Sequence, residues 1–126
     1  MKILAPLLAI LVLGACQSED VGYPCKMQQG TGAQVNSQGL DCETRLCLLM
    51  GDAAEAKPQC TKICGDDGDC PGAMTDCEDG FRCIPVLQTT ALKCCKMCVC
   101  KRFIPAGFAE SATTACATVS ATCPSL

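Results

Sequence analysis

The chain has 126 residues, a formal net charge of −3, fifteen cysteines and no histidine. Without histidine there is no Ser-His or Cys-His dyad, no histidine metal ligand and no C-x-x-C-H haem attachment. An acidic balance with no tryptophan, one tyrosine and three phenylalanines also argues against a nucleic-acid surface, so the chain reads as non-enzymatic and not nucleic-acid-binding.

Lys2 precedes Ile3–Leu13, an eleven-residue apolar stretch broken only by Pro6. That is too short for a spanning helix, which needs about 20 residues, and it suits the apolar region of a signal peptide. Gly14 and Ala15 are the small residues a peptidase needs before its cut. Residues 1–15 are therefore set aside from the fold. Leu13-Gly14-Ala15-Cys16 resembles the lipobox of bacterial lipoproteins. The resemblance implies that Cys16 is acylated and opens the mature chain, with residues 16–24 a polar tether and residues 25–126 the folded domain. It makes the lipid bilayer a partner, reached through the acylated N-terminus, and leaves the covalent lipid at Cys16 as the only non-protein group. Gln17 is not the Asp of inner-membrane retention, so the expected address is the cell envelope at the outer membrane.

The chain from Cys16 onward is poor in core formers: Leu, Ile, Val and Phe number 18 of 111 residues. Such a composition reads as disordered unless something else restrains the chain. In an oxidising compartment, the cysteines supply that restraint. With Cys16 lipidated, fourteen remain: Cys25, Cys42, Cys47, Cys60, Cys64, Cys70, Cys77, Cys83, Cys94, Cys95, Cys98, Cys100, Cys116 and Cys123. Seven disulfides, each contributing about 2–4 kcal/mol, replace the missing core. The expected fold class is a small disulfide-rich domain, mostly loops and turns with short β-hairpins and little helix beyond the signal segment.

In chain order, residues 28–39 are polar and Gly-rich and read as a loop. Arg45–Met50 reads as a short strand ended by Gly51-Asp52. Asp52–Lys57 has helix propensity, but Pro58 limits it to a single turn. Residues 60–83 place five cysteines among Gly and Asp and should form tight turns. Phe81–Val86 reads as a strand, restricted to an edge by Pro85, and Val99–Ile104 as a second strand. Residues 109–126 read as a loose tail pinned by Cys116 and Cys123.

The cysteine spacing also suggests two diverged submodules, 25–60 and 64–123, each with an Asp-Cys step in second place: Asp41-Cys42 and Asp69-Cys70. The pairing expected from this is alternate within each half, first to third and second to fourth. Cys94, Cys95, Cys98, Cys100, Cys116 and Cys123 would then pair among themselves.

Three clusters carry candidate chemistry. Lys93–Cys100 is the densest. Adjacent Cys94 and Cys95 should seek different partners, because neighbouring Cα atoms are closer than a disulfide prefers. Cys98 and Cys100 share a face if the segment is a strand. The main reading is a disulfide hub; the alternatives are a thiolate site for zinc, copper(I) or an iron–sulfur cluster, and a redox pair at Cys95-x-x-Cys98. Asp66, Asp67, Asp69, Asp76, Glu78 and Asp79 read as a solvated acidic turn region, with Ca²⁺ the alternative, although the EF-hand spacing is not met. Lys93, Lys96, Lys101 and Arg102 form a basic run that should pair internally with the acidic turns or face a partner.

Cys64–Gly72 resembles the C-x-x-D-x-D-C-P-G segment of WAP-type four-disulfide core domains, and Lys93-Cys94-Cys95 their later Lys-Cys-Cys. Many such domains inhibit serine proteases. Cys77 and Cys83 are additional to that pattern, and no inhibitory residue is carried over. As a whole, the chain resembles cysteine-rich lipoproteins of predatory and soil bacteria such as myxobacteria, which combine a lipobox, Asp-Cys-Pro turns and a Cys-Cys-x-x-Cys-x-Cys step. The function these features imply is a membrane-tethered, non-enzymatic binding or structural module with an envelope or extracellular protein partner. A WAP-like inhibitor, whose bait would lie between Pro24 and Asp41, is the alternative, and a cysteine-cluster metal or redox protein a third.

Overall fold

Two small antiparallel sheets share one seam. The computed structural model describes residues 20–27, 32–51, 56–86 and 91–124. The leader, Cys16 and most of the single turn expected over Asp52–Lys57 lie outside the described residues. The first sheet has the order β1 (Gln34–Asn36), β2 (Cys47–Leu49), β3 (Gln59–Cys60). Its register sets Val35 opposite Leu48 and Cys47 opposite Cys60. The second sheet pairs β4 (Phe81–Pro85) with β5 (Lys96–Cys100), Phe81 facing Cys100 and Pro85 facing Lys96. Helix α1 (Phe108–Cys116) packs on β4.

Seven disulfides join all fourteen cysteines from Cys25 onward, with Cα atoms 5.5–6.0 Å apart and separations of 18–28 residues. On the chain-entropy account, loops of that length contribute roughly 3–4 kcal/mol each. In the first half Cys25 joins Cys47 and Cys42 joins Cys60, the first-to-third, second-to-fourth order. The second half departs from it. Cys64 joins Cys83 rather than Cys77, Cys70 joins Cys98 rather than Cys83, and Cys77 joins Cys100. The physical reason is β5, which lies against β4 and brings Cys98 and Cys100 to the loop that precedes β4. Cys94 and Cys95 diverge to Cys116 and Cys123. No disulfide crosses from residues 25–60 to 64–123, yet the second set does not repeat the first.

Further differences from the sequence reading have clear causes. Gln34–Asn36 is a strand rather than loop, because β2 offers it a partner; its residues are all half-buried, as suits a polar edge. The strand expected over Val99–Ile104 starts earlier, at Lys96, and ends at Cys100. Gly80 accepts from Lys101 N–H there, and Lys101–Phe103 turns into a 3₁₀ segment. The C-terminal tail holds a nine-residue helix. Alanine favours helix, and Ala109 and Ala112, both buried, put small side chains on the inner face so that α1 approaches β4 closely. Part of the stretch expected as a tether, residues 16–24, belongs to the folded body. Val21 is 1% exposed, Gly22 N–H donates to Cys60 O at 2.8 Å, and Pro24 bridges to Gln59, so the folded domain takes in these residues.

The main core gathers Leu46, Leu48 and Met50 from the first half with Phe81, Ile84, Met97 and Val99 from the second. Both faces of β5 are buried beyond Lys96. Met97 and Val99 point to one side, Cys98 and Cys100 to the other. The seam between the sheets runs through Thr61, 1% exposed. Its N–H donates to Leu46 O, its hydroxyl to Cys98 O at 2.7 Å, and its carbonyl accepts from the Thr44 hydroxyl. Cys64 N–H donates to Lys96 O and Cys98 N–H to Lys62 O, tying the segment after β3 to β5.

Thr61→Val keeps the shape and removes one buried donor. It is expected to cost about 1–3 kcal/mol in denaturant unfolding of the oxidised protein. An unchanged midpoint would show that the hydroxyl is not needed at the seam.

Candidate functional site

The densest cysteine segment is a structural hub. Cys94, Cys95, Cys98 and Cys100 are all buried and bind four different partners. Cys94 adopts a φ of 63°, which turns its neighbour Cys95 toward a separate sulfur. Sulfurs of Cys25, Cys42 and Cys60 lie within 4.8 Å of one another, as do those of Cys64, Cys70 and Cys98. Each trio is one disulfide with a sulfur of the next, so none of the six offers a thiolate, the form that binds metals or attacks disulfides. The Cys95-x-x-Cys98 pair does not bond to itself.

The acidic stretch is occupied by its own backbone. Asp66 caps the 3₁₀ turn Asp67–Asp69, accepting from Gly68 N–H, and Asp69 Oδ2 accepts from Gly65 N–H at 2.7 Å and Asp66 N–H at 3.3 Å. Asp67 Oδ1 accepts from Cys83 N–H at 2.6 Å, covering a donor of β4. Three of the six acids thus secure a turn against the second sheet; Asp76, Glu78 and Asp79 are exposed. In the basic run Lys93, Lys96, Lys101 and Arg102 are also exposed. Lys96 Nζ donates to the Gly65 carbonyl at 3.4 Å rather than to a carboxylate, and the Arg102 guanidinium stands 5.4 Å from the centre of the Phe103 ring.

Two surface features stand out that sequence reading did not single out. One is a turn at Gly39–Cys42 carrying Leu40, which is 80% exposed. Gly39 N–H donates to Arg45 O, Cys42 N–H to Gly39 O, Gln38 N–H to Asn36 Oδ1 and Lys26 N–H to Asp41 Oδ2. The other is an open cleft of about 390 Å³ between the two halves, walled by Pro24, Pro58 and Gln59 on one side and Arg102 and Phe103 on the other. Its parts lie up to 79 residues apart in sequence (Pro24 to Phe103), which is why no local motif announced it.

Compared with family models, curated proteins and solved structures, the chain matches none of them. Among the described residues, no helix is long and apolar enough to cross a membrane.

The Asp69 carboxyl is held below the ordinary aspartate range, first by the Gly65 N–H and then by the Asp66 N–H. A depressed carboxyl pKa stabilises the turn at every pH above its unfolded value, and that contribution is lost as pH falls through the folded value. The Gly65 amide resonance should therefore shift only at acid pH, below an ordinary aspartate, and Asp69→Asn should abolish the shift. An inflection at or above the ordinary value would contradict the bond.

Proposed function

We propose that the protein is a lipid-anchored, non-enzymatic module of the bacterial cell envelope, stapled by disulfides and acting by binding or by structural support. One observation carries this reading: fourteen of the fifteen cysteines pair into seven intramolecular disulfides, and the one left over is Cys16, the cysteine that ends the lipobox-like Leu13–Cys16. A lipid thioether at Cys16 accounts for the odd sulfur without an intermolecular bridge. Several acyl chains, at about 0.8 kcal/mol per buried methylene, anchor a domain firmly. Disulfides that oppose local opening also deny extracellular proteases an unfolded segment. The outer membrane is the proposed address, with Gln17 following the anchor.

Cys16→Ser is expected to move the protein from the membrane fraction to the soluble fraction while the domain keeps its seven disulfides. Intact mass before and after reduction and alkylation reads lipid and disulfide count together. A variant that stays membrane-bound after processing would sink the lipoprotein reading.

The Leu40 turn favours a second reading, a WAP-like protease inhibitor. A leucine held out on a turn fixed by four hydrogen bonds and the adjacent Cys42–Cys60 disulfide binds an apolar pocket with little ordering cost. The expected result is micromolar inhibition of a serine protease with an apolar primary pocket, weakened about a hundredfold in Leu40→Glu. No inhibition across a protease panel removes this reading and leaves the first intact.

A further inference from the structure

Two disulfides of the second half stand side by side. Cys83 and Cys98 are opposite one another across β4 and β5, yet they do not bond to each other. Residues directly opposite on an antiparallel pair bring their Cβ atoms to about 4.5–5.5 Å. Each reaches instead to the turn over residues 65–69, Cys83 to Cys64 just before it and Cys98 to Cys70 just after it. The carboxylates of Asp66 and Asp69 hold that turn, and Asp67 Oδ1 ties it to Cys83 N–H. As a result the Cys64 sulfur, although bonded to Cys83, lies within 4.8 Å of both sulfurs of the Cys70–Cys98 bond.

Access separates this pair from the other close pair. The sulfurs of Cys25, Cys42 and Cys60 are also within 4.8 Å of one another, but all four residues of those two disulfides are no more than 9% exposed. A thiolate must reach a disulfide sulfur to displace its partner, so the first-half pair is closed to one. In the second-half pair Cys70 and Cys83 are half-buried, while Cys64 and Cys98 are 8% and 2% exposed. Each bond therefore has one outer and one inner sulfur, and the inner two are neighbours. Cys116 and Cys123 are half-buried too, but among the described residues neither of their disulfides forms such a trio with a third sulfur.

We propose that these two disulfides form a thiol-exchange site, at which a small monothiol adds to Cys83 and the displaced thiolate is relayed through Cys64 and Cys98 to Cys70. The incoming thiolate bonds to Cys83 Sγ and breaks Cys64–Cys83, which leaves the electron pair on Cys64. Cys64 then bonds to Cys98 Sγ and breaks Cys70–Cys98, which leaves the pair on Cys70. Two S–S bonds form and two break; one thiolate enters and one is released, so no oxidant or reductant is consumed. Burial sets the direction of the second step. Attack on Cys70 would strand a thiolate on Cys98, where desolvation disfavours the charge. Attack on Cys98 delivers the charge to half-buried Cys70, which solvent protonates. The product carries the external thiol at Cys83 and presents a new thiol at Cys70. The site does not depend on the lipid anchor.

The test is limited exchange of the full oxidised protein with 2-mercaptoethanol, followed by trapping of free thiols with N-ethylmaleimide and peptide mapping of the products. The expected first relayed product carries mercaptoethanol on Cys83, maleimide on Cys70 and a Cys64–Cys98 bond, with Cys25–Cys47 and Cys42–Cys60 intact. It should exceed any product altered in the first half by on the order of tenfold, because access sets the rate. Cys83→Ser leaves the Cys64 thiol free with no thiol added, and should give the same Cys64–Cys98 bond and the same free Cys70. Mapping of the unaltered protein decides the matter by itself should that variant fail to fold. Maleimide on Cys64 with Cys70–Cys98 intact, a Cys64–Cys70 bond, equal exchange in the first half, or no adduct at Cys83 would each overturn the assignment.

Discussion

Everything in the second half of the molecule is measured from β5. Residues 94–100 carry four of the fourteen paired cysteines and send them to the turn after the 3₁₀ segment, to the loop before β4, to the end of α1 and to the tail beyond it. A strand so short would not hold its register by main-chain bonds alone. Here the register cannot slip by one residue, because a slip would turn Cys98 and Cys100 away from Cys70 and Cys77 and expose Met97 and Val99. The apolar residues then have a fixed wall to pack on, and a sparse set of them is enough.

The first half depends on the same strand through the seam rather than through sulfur. Its two disulfides close within residues 25–60, so among the described residues hydrogen bonds and apolar packing, with the chain running through Thr61, join it to the rest. Thr61 concentrates those bonds at one buried point. The division places the cleft at the only boundary that no disulfide crosses, with Gln59 two residues before the seam threonine.

The scaffold was legible in the sequence because cysteine count, compartment signals and a thin apolar complement all bear on one question: what holds the chain together. Arg45–Met50 and Phe81–Val86 were legible as strands since apolar residues between turn formers leave few alternatives. Gln34–Asn36 was not, because a polar edge strand exists only by virtue of its neighbour. Helix α1 was hidden by its own composition: Ala, Ser and Thr read as a tail until Ala109 and Ala112 are seen against β4. The pairing of Cys70 and Cys77 was out of reach for a similar reason. It is decided by a strand that lies about 20 residues or more further on. The cleft residues have no local spacing to betray them.

Val21, sealed at 1% exposure, marks where the folded body begins and fixes how far it can stand from an anchor. From Cys16 to Asp20 there are four residue steps, which reach at most about 14 Å when fully drawn out. The radius of gyration expected for a body of about 100 residues is close to that, about 13 Å. With Cys16 in the bilayer as proposed, the leash is no longer than the body it holds. The domain then rides at headgroup height with one hemisphere kept toward the lipid, and its possible partners are confined to whatever the membrane itself brings within that shallow layer.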